Sequence, residues 1–149
     1  MASKIIRKTF SLLLCLALTV ALAIPCFAQD NEHVIASYTE DLGNNITVVV
    51  TITQTVTRST TTTTKAHDYY YDGQYIGRAA LSASFYYDGS TARATGASGA
   101  GSGANGWSYG GQSTGTSGNR AYLNATLSDG SRSVPVSLSL TCSPSGSIS

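Results

Sequence analysis

Charged side chains are scarce in this sequence, at 11% of 149 residues, and lysine occurs only three times, at Lys4, Lys8 and Lys65. Nowhere do basic residues gather into a patch of the kind that attracts phosphates or anionic lipid headgroups. The sequence therefore predicts neither a nucleic-acid partner nor binding to a charged membrane surface.

Residues suited to catalysis or metal binding are equally few. The two histidines, His33 and His67, belong to no metal-ligand spacing, and Glu40 and Asp41 are adjacent, so on a strand they point to opposite faces and cannot act as a catalytic pair. The other acidic candidates fall in Asp-Gly turns. We therefore expect no enzyme activity, no catalytic residue, no metal site and no cofactor.

Long apolar runs are absent except for one, from Phe10 to Ile24, which follows three basic residues and precedes a small-residue site ending at Ala28. This order is typical of a secretory signal peptide, predicted over residues 1–28. Fifteen residues are few for a membrane span, so no stable membrane anchor is expected. An alternative, lipidation at Cys26, is disfavoured by Pro25 directly before it. The mature chain, residues 29–149, is then secreted into the extracellular space.

Cysteine is scarce too, because Cys15 and Cys26 leave with the leader and only Cys142 remains. A lone cysteine in an exported protein is either buried or paired between chains. Since Cys142 continues the alternation of apolar residues from Val134 to Leu140, we expect it to point inward and to be buried.

Helical periodicity is missing after residue 29, and alternation of apolar and polar residues takes its place. Three Asp-Gly pairs, at residues 72–73, 88–89 and 129–130, predict two-residue hairpin turns. With such turns Leu123 pairs with Val136, and the apolar residues of each hairpin collect on one face. Leu127, opposite Arg132, does not fit this pattern.

Two further strands are predicted at residues 32–40 and 45–57, the second with its threonines turned outward. In the segment RSTTTTT, residues 58–64, no apolar residues alternate with the polar ones. We interpret this segment as the connection that crosses to the next hairpin. The Gly/Ser-rich stretch at residues 96–119 is linker-like in composition but includes a strand at about 106–116. The fold prediction is a single antiparallel β-sandwich domain, immunoglobulin-like, with seven or eight strands and the last strand either at an edge or bulged at Pro135.

Tyrosine is the one abundant residue type suited to binding. Hairpin parity places Tyr69, Tyr71 and Tyr86 on the outer face and Tyr70 and Tyr75 inside. Exposed tyrosines stack on sugar rings or form the centre of protein interfaces, so these three are the candidate ligand-binding residues. The alternative is that they simply line strands, for which tyrosine has high propensity.

The threonine run, residues 51–64, suggests two more specific functions. An ice- or crystal-matching array needs its Thr-x-Thr pairs repeated at a fixed period, and the sequence contains no such repeat. A glycosylated stalk at RSTTTTTK would be short and has no proline.

Several stretches resemble a loose group of small secreted all-β proteins of Gram-positive bacteria. They are Glu40–Asn44, the Ala83–Ser90 hairpin, Gly106–Ser108, Ser117–Asn119 and the ending Leu140–Ser149. The resemblance implies the fold and the secretion but no activity. It also implies that some members carry a second cysteine where this sequence has Ala94, as a disulfide partner for Cys142.

Three functions remain open on these grounds. The first is a secreted, non-catalytic protein that binds a glycan or a protein at the cell surface through its tyrosine-bearing strands. The alternative is a secreted toxin or bacteriocin-like effector. A hydrolase whose site is not visible in the sequence is the third.

Overall fold

A computed structural model describes residues 32–149, which form eight β-strands. The predicted signal peptide, residues 1–28, lies outside the described residues. The described chain contains no helix that is long and apolar enough to cross a membrane. The strands are β1 (His33–Gly43), β2 (Ile46–Thr57), β3 (Thr60–Tyr71), β4 (Gln74–Tyr87), β5 (Ala92–Gly103), β6 (Ser108–Ser117), β7 (Arg120–Ser128) and β8 (Ser133–Thr141).

The strands form two antiparallel sheets, one of five strands in the order β1-β2-β3-β4-β5 and one of three in the order β6-β7-β8. The predicted all-β antiparallel sandwich is confirmed. Its strand order is not that of an immunoglobulin domain, whose chain passes repeatedly between the sheets. Here short hairpins join consecutive strands within each sheet, and the chain changes sheet once, between β5 and β6.

The core lies between the facing surfaces of the two sheets. Alternate residues of β2 and β4 point into it from the large sheet, and alternate residues of β7 and β8 from the small one, as the two-residue periodicity requires. Its largest fully buried apolar side chains are Tyr69, Phe85, Ile76, Leu81, Leu123, Leu127, Leu138 and Leu140.

The Asp72-Gly73 turn has the two-residue form predicted for it. Tyr71 pairs with Gln74 across the turn, and both central residues have positive φ, 49° at Asp72 and 75° at Gly73. These are the dihedral signs of the hairpin turn that Asp-Gly favours.

The other two Asp-Gly pairs begin four-residue loops, at residues 88–91 and 129–132, so the predicted two-residue turns are wrong there. The reason is the aspartate side chain: Asp129 Oδ1 accepts hydrogen bonds from the backbone N–H of Ser131 at 2.9 Å and of Arg132 at 2.7 Å. Asp88 caps its loop in the same way. Such Asx turns compete with the two-residue turn for the same sequence.

The longer loops displace the pairing by two residues. Leu123 pairs with Leu138 instead of Val136, and Leu127 pairs with Val134 instead of Arg132. Because a shift of two preserves the side-chain face, the predicted inner face of β7 and β8 is confirmed, and the misfit at Leu127 disappears.

The threonine run, residues 51–64, forms a hairpin and not a crossing segment. β2 ends at Thr57, Arg58 and Ser59 make the turn, and β3 starts at Thr60. Thr61 and Thr63 are turned into the protein and buried. The hydroxyl of Thr61 is tolerated there because Thr61 Oγ1 donates to the carbonyl oxygen of Thr55 at 3.2 Å and accepts from Gln54 Nε2 at 2.9 Å.

The Gly/Ser-rich stretch is strand over most of its length, since β5 continues to Gly103 and β6 starts at Ser108, close to the predicted start at 106. Glycine is required at Gly103, where a Cβ would lie 2.0 Å from the carbonyl oxygen of Trp107. Glycine at this position therefore lets the chain turn back closely from one sheet to the other.

Cys142 is fully buried, as predicted, and it forms no disulfide. Burial raises the pKa of its thiol. Its backbone N–H donates to the carbonyl oxygen of Asn119 at 3.0 Å, while that of Ala94 donates to Gly118 at 2.8 Å. Both residues thus lie against the turn between β6 and β7.

Candidate ligand-binding site

The structure places two of the three predicted ligand-binding tyrosines on the other side of the sheet. Tyr69 is 1% exposed and belongs to the core, and Tyr71 is half-buried and packs against the core. The prediction that they lie on the outer face is wrong. Tyr70 and Tyr75, predicted to lie inside, pair with each other across β3 and β4, with ring centroids 5.7 Å apart.

A β-bulge explains this inversion. Tyr70 pairs with Tyr75 and Tyr69 pairs with Gly77, which leaves Ile76 as an extra residue on β4. Ile76 and Gly77 are both buried, so two consecutive residues face inward and the parity changes by one. The sequence-based prediction assumed regular alternation from Tyr75 to Gly77. It therefore assigned the neighbouring tyrosines to the wrong face of the sheet.

Tyr86 is on the outer face, as predicted. It pairs with Thr60 on one side and Arg93 on the other, and the Arg93 guanidinium carbon lies 5.3 Å from the centre of its ring. Tyr86 therefore lies on the opposite face of the large sheet from Tyr71, and the three tyrosines do not form one surface.

A different group of residues converges at one end of the sandwich. There the turn between β1 and β2, the end of β3, the segment before β6 and the loop between β7 and β8 line a partly open cavity of about 240 Å³. A cavity of this size accommodates one sugar ring or a group of similar volume, below the usual range for drug-sized ligands. Its lining residues are Asn44, Ile46, Tyr71, Trp107, Arg132, Ser133 and Val134.

The guanidinium of Arg132 is held in a fixed orientation over the aromatic residues of this cavity. Its carbon lies 4.5 Å from the centre of the Tyr71 ring and 5.8 Å from that of Trp107. Arg132 Nε donates to Asp129 Oδ2 at 2.9 Å, and Nη2 lies 2.8 Å from the same oxygen. Backbone N–H groups of Arg132 and Ser131 lower the pKa of the Asp129 carboxyl, so its negative charge persists at neutral pH.

Tyr71 and Trp107 form the apolar wall of the cavity, with ring centroids 6.0 Å apart. Trp107, the single tryptophan of the sequence, is 9% exposed, and its backbone N–H donates to Ala104 at 3.0 Å. Local sequence could not bring Trp107, Tyr71 and Arg132 together, because Tyr71 ends β3 whereas Trp107 and Arg132 lie in two separate connections. The only local indication in the sequence was that the predicted pairing set the charged Arg132 opposite the apolar Leu127.

The outer face of the large sheet carries short hydroxyl side chains in rows across the strands. One row runs Thr53, Thr64, Ser82, Ser98 on β2 to β5, with Thr64 Oγ1 2.7 Å from Ser82 Oγ. Hairpin register produces these rows without any repeat in the sequence. A shallow depression of about 310 Å³ lies beside Thr62, Ser84 and Gly96 on this face.

The inward face of β3 is unusually polar for a central strand. Thr61, Thr63, His67 and Tyr69 are all buried, and Thr63 Oγ1 and His67 Nε2 have no hydrogen-bond partner within the described residues. His67 Nδ1 lies 3.3 Å from the Tyr69 hydroxyl. Burial, with a smaller contribution from the charge of Lys65, lowers the pKa of His67 to about 4, so it is neutral at neutral pH.

Glu40 and Asp41 point to opposite faces of β1, as predicted, since they pair with Val48 and Thr47 respectively. Within residues 32–149 no three His, Cys, Asp or Glu side chains are close enough to hold a metal ion. The candidate site consists of aromatic rings, one ion pair and amide and hydroxyl groups.

Comparisons with protein-family models, with curated proteins and with solved structures found no match.

Proposed function

We propose that this protein is a secreted, non-catalytic glycan-binding protein that holds a sugar residue in the cavity between Tyr71, Trp107 and Arg132. The observation that carries the proposal is the convergence of two aromatic rings and an oriented ion pair around a cavity of about 240 Å³. The predicted signal peptide, residues 1–28, supports secretion.

The chemistry of the cavity suits a sugar ring better than a purely apolar or a strongly charged ligand. A sugar presents C–H groups on its faces and hydroxyls around its rim, and aromatic side chains contact the former. Asn44 and Ser133 offer hydrogen-bond donors and acceptors for the sugar hydroxyls, and so does the pair of Arg132 and Asp129. Because Asp129 neutralises Arg132, the site has no excess charge that would select an anion.

A screen of the purified protein against a printed panel of bacterial and host oligosaccharides tests this proposal. We expect Arg132→Gln and Tyr71→Ala to weaken binding of any hit by about tenfold or more, equivalent to about 1.4 kcal/mol. Arg132 is exposed, so Arg132→Gln leaves the core intact.

The chain supplies a matched control pair, because Tyr86 and Arg93 make the same kind of contact on the outer face. Arg93→Gln and Tyr86→Ala are expected to leave binding unchanged. If these two variants lose binding and the cavity variants do not, the ligand binds to the outer face and the proposed site is wrong. A full panel without a hit contradicts the glycan proposal itself.

A further inference from the structure

The outer face of the large sheet carries a second pair of aromatic rings at the same end of the sandwich as the cavity. Tyr70 and Tyr75 pair across β3 and β4, beside the turn at Asp72 and Gly73. Their ring centroids are 5.7 Å apart and their planes meet at 64°, which is an edge-to-face contact. Both side chains are half-buried, so each ring keeps part of its surface free for a ligand.

An ion pair lies beside these rings, as one does at the cavity. Asp68 pairs with Arg78 in the sheet, and Arg78 Nη1 donates to both carboxylate oxygens of Asp68, at 3.2 Å and 3.1 Å. Burial, and then the negative charge of Asp68, raise the pKa of the Tyr75 hydroxyl, which therefore stays protonated and able to donate a hydrogen bond. The outer face thus repeats the chemistry of the cavity, with two aromatic rings beside an Arg–Asp pair.

We propose that Asp68, Tyr70, Tyr75 and Arg78 form an outer subsite, which binds a second sugar unit of the glycan whose first unit occupies the cavity. This inference rests on the proposed function, because the cavity determines which glycan is bound. The two rings contact the C–H groups of the sugar, while the ion pair and the Tyr75 hydroxyl form hydrogen bonds with its hydroxyls. Since the ion pair is neutral overall, the outer subsite suits a neutral sugar, as the cavity does.

The turn between β3 and β4 connects the two sites. Tyr70 and Tyr71 are consecutive, and successive residues of a strand point to opposite faces, so Tyr71 lines the cavity while Tyr70 lies on the outer face. Between them the chain turns at Asp72 and Gly73, which are both exposed, and even a Cβ at Gly73 would have nothing within 4 Å. A glycan that leaves the cavity over this turn therefore reaches Tyr70 without an obstructing side chain at Gly73.

The residues that flank the outer subsite favour a glycan over a protein partner. Across the sheet, Tyr70 pairs with Thr47 on one side and Arg78 pairs with Ser102 on the other. The rings are thus bordered by hydroxyl groups, whereas the centre of a protein interface is a larger apolar surface. Hydroxyl groups at this border offer further hydrogen bonds to a sugar.

Titration calorimetry with oligosaccharides of increasing length, built from the repeat identified in the panel, tests the outer subsite. We expect the dissociation constant to fall at least about tenfold from the shortest oligomer that binds to the longer ones, because the second contact is intramolecular. Tyr75→Ala and Arg78→Gln are expected to remove this gain and to leave the affinity for the shortest oligomer unchanged, since neither residue lines the cavity. Arg78 is exposed, so Arg78→Gln leaves the core intact.

Tyr86→Ala and Arg93→Gln are the matched controls, because these residues make an aromatic–guanidinium contact on the same outer face but at the other end of β4 and β5. Both variants are expected to keep the gain with length.

The outcomes separate the outer subsite from the cavity. If longer oligomers bind no more tightly than the shortest one, or if the gain survives in both Tyr75→Ala and Arg78→Gln, the outer subsite is wrong while the cavity proposal stands. If Arg132→Gln binds the shortest oligomer as tightly as the wild type does, the cavity proposal fails instead, and the outer subsite fails with it. A panel without a hit overturns both.

Discussion

At the scale of single residues, the polar side chains on the inner face of β3 show which interactions the fold tolerates. A buried polar atom without a partner costs about 1 to 3 kcal/mol, and both Thr63 Oγ1 and His67 Nε2 are in this position within the described chain. A neutral histidine is tolerated there more easily than a charged one. The protonation of His67 therefore links the stability of the fold to pH.

His67 predicts acid sensitivity with a definite sign. Its pKa falls from 6.5 to about 4 on folding, so the unfolded chain binds the proton more tightly. The free energy of unfolding is therefore undiminished by His67 above pH 6.5 and falls by about 3 kcal/mol as the pH drops toward 4. Urea unfolding of the wild type and of His67→Gln over this range measures the difference.

The comparison with His67→Gln is necessary because carboxylates also titrate in acid. We expect the wild type to lose more stability than His67→Gln between pH 6.5 and 4. If the free energies of unfolding of the wild type and His67→Gln fall in parallel with pH, His67 is protonated alike in the folded and unfolded states, and the prediction is wrong.

At the scale of strands and turns, two kinds of irregularity had opposite effects on what the sequence could predict. The loops at Asp88 and Asp129 are two residues longer than predicted, which changes the pairing partners but keeps every side chain on its face. The single extra residue at Ile76 reverses the faces of the tyrosines. The core was therefore predictable, and the position of Tyr71 was not.

The candidate site was less predictable than the fold for a further reason. Alternation and turn dipeptides are local signals, whereas Tyr71, Trp107 and Arg132 meet only because several connections close at the same end of the sandwich. The sequence did indicate that aromatic residues matter. It could not indicate which of nine tyrosines would lie beside the one tryptophan.

The passage from β5 to β6 gives a prediction at this scale. A Cβ at Gly103 would lie 2.0 Å from the Trp107 carbonyl oxygen, and backbone cannot move aside as a side chain can. Gly103→Ala is therefore expected to destabilise the protein by about 1 to 3 kcal/mol in thermal or urea unfolding. Gly110→Ala is the control, because a Cβ there has nothing within 4 Å; equal costs for both variants would contradict the packing described.

At the scale of the whole molecule, the two sheets are unequal, and the five-stranded one ends in an exposed strand. The cavity and the β1 edge are distinct features, because residues of both sheets line the cavity, whereas β1 pairs with β2 on one side only.

The most direct test of the glycan site uses the fluorescence of Trp107, the single tryptophan, which forms a wall of the cavity. Titration with an oligosaccharide identified in the panel is expected to change the intensity or shift the emission maximum saturably, and Arg132→Gln is expected to weaken the response at least about tenfold while Arg93→Gln does not. A ligand that binds by calorimetry without changing Trp107 emission, and equally well to Arg132→Gln, would contradict the proposed site.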